Sequence, residues 1–230
     1  MNIHRKYLIN KISLVLFILL IIVSFLINFA SIFSINNEYN WFDKDIATSQ
    51  FLETYLLFFK LVVINLNCYL FGYSFNKEQN SYHLLITGYS YLKVKYIITK
   101  LLMICIIMSC VLFISIYIML LQSIFCSNLI LINKNSLELF INLVLICLIY
   151  GSLSSIFSML FNNNYAYFLG SMLFVIGELI KDYKIVHFYF VFFPSVSISN
   201  FDSGNFGIIH LSLLFIIYAF LVVLGYVHKK

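Results

Sequence analysis

The 230-residue chain has few charged residues, a single proline and long stretches without any polar side chain. Only 10% of its residues are charged against 63% hydrophobic, and its mean hydropathy is +1.00. So few charges cannot cover the surface of a water-soluble globule, which excludes that class of protein. The apolar runs are also too long and too uniform for the alternating strands of a β-barrel. We therefore predict an all-α, polytopic membrane protein.

Motifs that hold nucleotides, metals or catalytic groups are absent from the sequence. It contains no G-x-x-x-x-G-K-[ST], no H-E-x-x-H and no G-x-S-x-G. The five histidines have no ligand spacing, and the five cysteines lie in apolar runs without a C-x-x-C pair. We expect no enzyme activity, no metal site and no cofactor bound by this chain alone.

The apolar windows define the domain organisation. About 20 apolar residues are needed to cross a hydrocarbon core about 30 Å thick. We predict one transmembrane domain over 1–230 with six spans, at about 12–35, 51–75, 96–125, 137–161, 165–180 and 206–227. The polar segment 76–95 joins the second span to the third.

Basic residues divide unevenly between the two sides of this topology. With the N-terminus placed inside, nine lie on the cytoplasmic side, four lie outside and Lys60 falls within the second span. The positive-inside rule therefore places both termini and segment 76–95 in the cytoplasm. Among the nine acidic residues only Glu78 is then cytoplasmic.

Segment 76–95 carries the signals of a short surface helix. Asn76 can cap its start, Gln79 stands three residues later as the reciprocal partner, and Gly88 suits the position after its end. The helix predicted over 77–87 has one apolar and one polar face, which is typical of a helix lying along a surface.

The run 185–193 before Pro194 is apolar but too short to cross a membrane. Two interpretations stay open, a re-entrant or interfacial hairpin on the outer side and an ordinary interfacial loop. Small residues recur on one face of the fourth and fifth spans and predict close helix packing inside one subunit. They are Gly151, Ser155 and Ser158, then Ala166, Gly170 and Gly177.

Lys60 is the clear charge inside a predicted span. Glu53, Lys60, Asn67 and Ser74 are spaced by seven residues, which predicts one slowly drifting polar stripe along the second span. A lysine near the membrane centre faces water or a partner rather than lipid. Two alternatives follow: Lys60 lines a translocation path, or it snorkels or pairs within one subunit, toward Glu178.

The topology and the stretch FNKEQNSYHLLITGYSYLKVKYIITK together resemble the type-2 permease subunits of ABC transporters. The resemblance covers essentially the whole chain. Its most specific part is an acid, a leucine pair, a turn and a basic residue that enters the third span. Those positions are Glu78, Leu84, Leu85, Gly88 with Ser90, and Lys100.

The resemblance implies that segment 76–95 is a coupling helix that docks on a separate cytoplasmic ATPase. It assigns the ATPase-coupling role to Lys77, Glu78, Leu84, Leu85 and Lys100, and a place on the translocation path to Lys60 and Asn67. The implied partners are ABC ATPase subunits, which bind ATP and magnesium, and a second copy or a related permease in the lipid bilayer. No nucleic acid is implied.

In its small size the chain resembles bacterial permeases that export peptides, including those that give immunity to lantibiotics or bacteriocins. The expected location is then the bacterial plasma membrane. Other classes stay open: a non-ABC binding or immunity module, and the substrate-binding subunit of a vitamin uptake system. Copurification with an ATPase would distinguish the permease hypothesis from these other classes.

Overall fold

The computed structural model describes residues 44–76, 90–125, 134–161, 165–180, 192–194 and 207–227, together with scattered positions between 15 and 29. The described positions between 15 and 29 are helical. The longer elements are helices α1 (Lys44–Phe58), a π-helical turn (Phe59–Val63), α2 (Ile64–Ser74), α3 (Ser90–Phe125), α4 (Lys134–Phe161), α5 (Phe168–Ile180) and α6 (Ile208–Val227). The described part of the chain contains no strand, which confirms the all-α prediction for those residues.

Two helices begin earlier than the sequence analysis placed them. The second apolar segment is helical from Lys44 rather than 51, and the third from Ser90 rather than 96. Neither 44–50 nor 90–95 contains glycine or proline, so nothing interrupts the hydrogen-bonded backbone where hydropathy falls. The last six residues of the predicted coupling segment 76–95, with Lys93 and Lys95, therefore belong to α3.

Three of the described helical stretches are long and apolar enough to cross a membrane by length and composition: Thr48–Ser74, Glu138–Phe161 and Ile208–Val227. The 36-residue α3 also exceeds the length of a span. By contrast α5 has 13 residues and is about 20 Å long, short of a hydrocarbon core about 30 Å thick. The predicted fifth span over 165–180 is therefore not a full crossing by its described helix alone.

The centre of the bundle is α4, which packs against α2, α3, α5 and α6. Its buried face carries large side chains beside very small ones. Gly151 lies against the ring of Phe71 from α2, and a Cβ built on that glycine would lie 2.6 Å from the nearest ring carbon. The smallness of Gly151 thus sets how closely α2 approaches α4.

Helix directions follow from these contacts. The Asn67 side chain binds the backbone of Cys147, and four residues later Phe71 meets Gly151, so α2 and α4 run parallel. Along α4 and α5 the order reverses: Tyr150 packs on Phe174, with ring centroids 5.0 Å apart. The next pair, Ser154 and Gly170, completes the antiparallel arrangement.

The face of α6 that points away from the bundle is also apolar. Ile209 is 78% exposed, and Leu213, Ile216 and Phe220 follow it on the same side. A water-soluble protein does not present a continuous stripe of this kind, whereas a lipid-facing helix does. The exposed apolar face of α6 thus supports the membrane assignment independently of the lengths of the helices.

Candidate functional site

A half-buried ion pair joins the π-helical turn to α5. Lys60 Nζ lies 2.9 Å from Glu178 Oε2, and the two side chains are 13% and 20% exposed. Lys60 lies in the π-helical turn Phe59–Val63, which interrupts the long helix from 44 to 74. Such turns change the direction of the side chains around them and often lie at functional sites. The pairing toward Glu178, one of the two alternatives stated for Lys60, is thus present.

Antiparallel packing of α2 against α5 brings these two residues together. Near the other end of α2, Tyr69 meets Tyr167 edge to face, with ring centroids 4.7 Å apart. A side chain on Gly72 would overlap the Cβ of Tyr167. The close approach at Gly72 and the ion pair at Lys60 thus lie at opposite ends of this antiparallel contact.

The predicted polar stripe along the second span is not one surface. Glu53 is exposed to the outside of the bundle, whereas Asn67 and Ser74 are buried in it. The π-helical turn lies between them, and its wider i to i+5 hydrogen-bonding pattern rotates everything that follows relative to α1. The prediction of a continuous stripe is therefore wrong, because it assumed an uninterrupted α-helix.

Asn67 is fully buried between α2 and α4. Its Nδ2 donates a hydrogen bond to the backbone carbonyl of Cys147. Ser158 donates to the carbonyl of Gly72 at 2.8 Å, and Ser154 donates to the carbonyl of Tyr167 at 3.2 Å. Interhelical bonds of this type hold helices together where water is absent. Within one subunit, the described contacts of Asn67 are with α4, not with an open path.

A second charged site lies about three turns into α3, at Lys100. Lys100 is 4% exposed, and its ammonium lies 5.4 Å from the ring centroid of Phe75 and 5.6 Å from that of Tyr96. These distances are those of cation–π contacts. Tyr96 in turn lies 6.4 Å from Tyr226 near the end of α6. We call Phe75, Tyr96, Lys100 and Tyr226 the Lys100 cluster.

The Lys100 cluster contains residues from both sides of the predicted coupling segment: Phe75 precedes it in the sequence, and Tyr96 and Lys100 follow it. Phe75 precedes that segment by one residue and packs within the bundle together with the buried Asn76. Of the five residues assigned to ATPase coupling, the structure describes Lys100. The other four, Lys77, Glu78, Leu84 and Leu85, lie outside the described residues, as does the helix predicted over 77–87.

Residues Phe192–Pro194, at the end of the short apolar run, are held at the middle of the bundle. Tyr150 donates a hydrogen bond to the carbonyl of Pro194 at 3.1 Å, and Tyr218 donates one to the carbonyl of Phe192 at 3.1 Å. Each tyrosine is at the midpoint of a helix long enough to cross a membrane. Phe192 is helical, whereas Phe193 and Pro194 are not. Non-helical backbone at that depth is stable when protein groups satisfy it. This position favours the re-entrant alternative over an interfacial loop.

The predicted small-residue faces are confirmed as packing surfaces. Gly151, Ser155 and Ser158 in α4, and Ala166, Gly170 and Gly177 near and in α5, are all buried. Gly72 has the same role in α2 and was missed, although it is the only glycine in the predicted span 51–75 and was therefore a usable signal. Nothing in the sequence pointed to Tyr150 or Tyr218, because tyrosine is frequent throughout the chain.

Comparison with known proteins returned no match: none of the family models, curated proteins or solved structures matches this chain.

Proposed function

We propose that the chain is the membrane-spanning permease subunit of an ATP-driven ABC exporter in the bacterial plasma membrane. It works beside a second copy or a related permease and is powered by separate cytoplasmic ATPase subunits that bind ATP and magnesium. Its cargo is an amphipathic peptide of the bacteriocin or lantibiotic type. The proposal keeps the six-span topology with both termini inside.

The observation that carries the proposal is the contact between Phe75 and Lys100, which lie on either side of segment 77–89 in the sequence. Phe75 on one side and Lys100 on the other meet in the Lys100 cluster, which also contains Tyr226 of α6. A displacement of these flanking residues therefore acts on α2, α3 and α6 together. That is the mechanical property required of a segment that passes movement from an ATPase to membrane helices.

The Lys60–Glu178 pair supports the transport part of the proposal. An ionisable pair inside an apolar helical bundle is expensive to place there, and such residues usually serve substrate or ion movement. In the proposed dimer the π-helical turn and α5 line the route between subunits. Lys60 then lies on that route, and Asn67 fixes the helix that carries it.

The test is isolation of the affinity-tagged chain from its native membranes, followed by an assay of ATP hydrolysis. We expect copurification of a subunit that has a phosphate-binding loop, with hydrolysis by the complex and none by the isolated chain. Glu78→Ala should weaken the association, whereas Glu53→Ala, an exposed acid on the predicted outer side, should not. Cargo binding without any associated ATPase would instead support the non-ABC binding or immunity module.

A further inference from the structure

We propose that Glu178 is the binding site for the cationic group of an amphipathic ligand, and that Lys60 is a resident counter-ion which this ligand displaces. The inference deepens the proposed function and rests on it in one respect, that the ligand is the transported cargo. The site is the junction of the π-helical turn with the last turn of α5.

The pair is accessible, unlike the other buried polar groups of the bundle. Lys60 and Glu178 are 13% and 20% exposed, whereas Asn67 is fully buried and Lys100 is 4% exposed. Exposed apolar side chains adjoin the pair in sequence on both helices. They are Leu57 and Leu61 beside Lys60, and Val175 and Leu179 beside Glu178. A charge in an apolar surround matches a molecule with one cationic group and an apolar body.

The two members of the pair differ in how easily they leave it. A lysine ammonium sits on four methylenes and can move to another polar region while its stem stays on apolar surface. Glu178 has a shorter side chain and projects from α5, which packs against both α2 and α4. Lys60 is therefore the exchangeable member and Glu178 the fixed one.

The dipole of helix α5 also favours a cationic ligand over an anionic one. Glu178 lies in the last turn of α5, which ends at Ile180, where the helix dipole is negative. A carboxylate at that end is stabilised by a nearby cation. An incoming cation that replaces Lys60 keeps the carboxylate paired, whereas an incoming anion that captures Lys60 leaves two negative groups together. The site thus selects a cation over an anion.

The experiment measures binding to the purified full-length chain in detergent. The first probe is a labelled synthetic helical peptide of leucine and lysine, and the second is the same peptide with glutamine in place of lysine. Dodecyltrimethylammonium is the third probe and represents a non-peptide cation. Binding of both cationic probes indicates a general site for amphipathic cations, and binding of the cationic peptide alone indicates a peptide site.

The two single variants should act in opposite directions. In Lys60→Met the carboxylate has lost its competitor, so the lysine peptide should bind about fivefold more tightly, the upper end for a partly exposed ion pair. In Glu178→Gln the preference for the lysine peptide over the glutamine peptide should disappear. The matched controls Lys95→Met and Glu53→Gln make the same charge changes at exposed positions and should alter neither affinity.

The reversed pair keeps the test usable should a single variant fail to fold. In Lys60→Glu with Glu178→Lys the ion pair is retained, but the fixed member is now the cation. Preference for the lysine peptide should vanish, and a leucine–glutamate peptide should bind better than it does to the wild type. An unchanged preference for the lysine peptide in this variant would overturn the proposal.

Equal effects of the two single variants would also overturn it. A pair that only fastens α5 to the π-helical turn predicts a lower unfolding temperature for both variants and no opposite change in affinity. Failure of the proposed function shows separately, because ATPase association does not depend on these measurements. A chain that binds the lysine peptide through Glu178 without an ATPase would retain this site and lose the exporter assignment.

Discussion

The Tyr150 hydroxyl, at the midpoint of the apolar stretch Glu138–Phe161 of α4, donates a hydrogen bond to the Pro194 carbonyl at a distance of 3.1 Å. The same ring packs edge to face on Phe174 of α5, with centroids 5.0 Å apart. One side chain thereby connects the central helix, the fifth helix and the only proline of the chain.

Replacement of Tyr150 by phenylalanine removes the hydroxyl and keeps the ring. We expect the free energy of unfolding to fall by about 0.5–1.5 kcal/mol, the usual net contribution of one hydrogen bond. Thermal unfolding in detergent measures it. Tyr117→Phe is the matched control, because that tyrosine is exposed on α3 and should show no change. An unfolding temperature equal to the wild type for Tyr150→Phe would mean that this bond does not hold Pro194.

Lys100 and Phe75 should be energetically coupled. Burial of an ammonium opposes folding while its ring contacts favour it, so the sign of Lys100→Met alone is not diagnostic. A double-mutant cycle with Phe75→Leu isolates the contact, and we expect a coupling of about 1–2 kcal/mol, as for a desolvated cation–π pair. The same cycle with the exposed Lys95 should be additive within about 0.5 kcal/mol. Additivity for Lys100 as well would show that the Lys100 cluster does not link the two flanks.

Gly170 allows no side chain, whereas Gly225 does. A Cβ on Gly170 would overlap the Ser154 hydroxyl and approach the Ser154 backbone nitrogen to 3.1 Å, while one on Gly225 would lie 3.8 Å from the Met159 methyl. We expect Gly170→Ala to destabilise by about 1–3 kcal/mol through overpacking. Gly225→Ala, inside a helix, should stabilise by about 0.4–1 kcal/mol. Comparison of the two unfolding temperatures is the test, and the reverse order would contradict the described contact of α5 with α4.

The six-span topology predicts which positions are reachable from outside the cell. In a chain whose native cysteines are replaced by serine or alanine, cysteines introduced at Asn40 and Ser203 should react with a membrane-impermeant maleimide on intact cells. A cysteine at Ser81 should react only after the membrane is opened, because segment 76–95 is predicted to be cytoplasmic. Labelling of Ser81→Cys on intact cells would reverse the orientation or remove a span.

Helix positions were largely predictable from the sequence, and their ends were less so. The windows 137–161 and 206–227 agree with Lys134–Phe161 and Ile208–Val227 within three residues. The errors at Lys44 and Ser90 arose because hydropathy locates a membrane boundary, whereas a helix continues until a residue breaks its backbone pattern.

Residue order alone predicts helices, apolar stretches long enough to cross a membrane, and the small faces on which the helices pack. Those properties depend only on residues that are close together in the sequence, so a single sequence window is enough to predict them. Three features required the folded chain: Glu178 pairs with Lys60 across 118 positions, the π-helical turn separates Glu53 from Asn67, and Tyr150 and Tyr218 hold Phe192–Pro194. Each of these depends on the rotation of one helix relative to another. That rotation is fixed by the packing of all the helices together, which no single window contains.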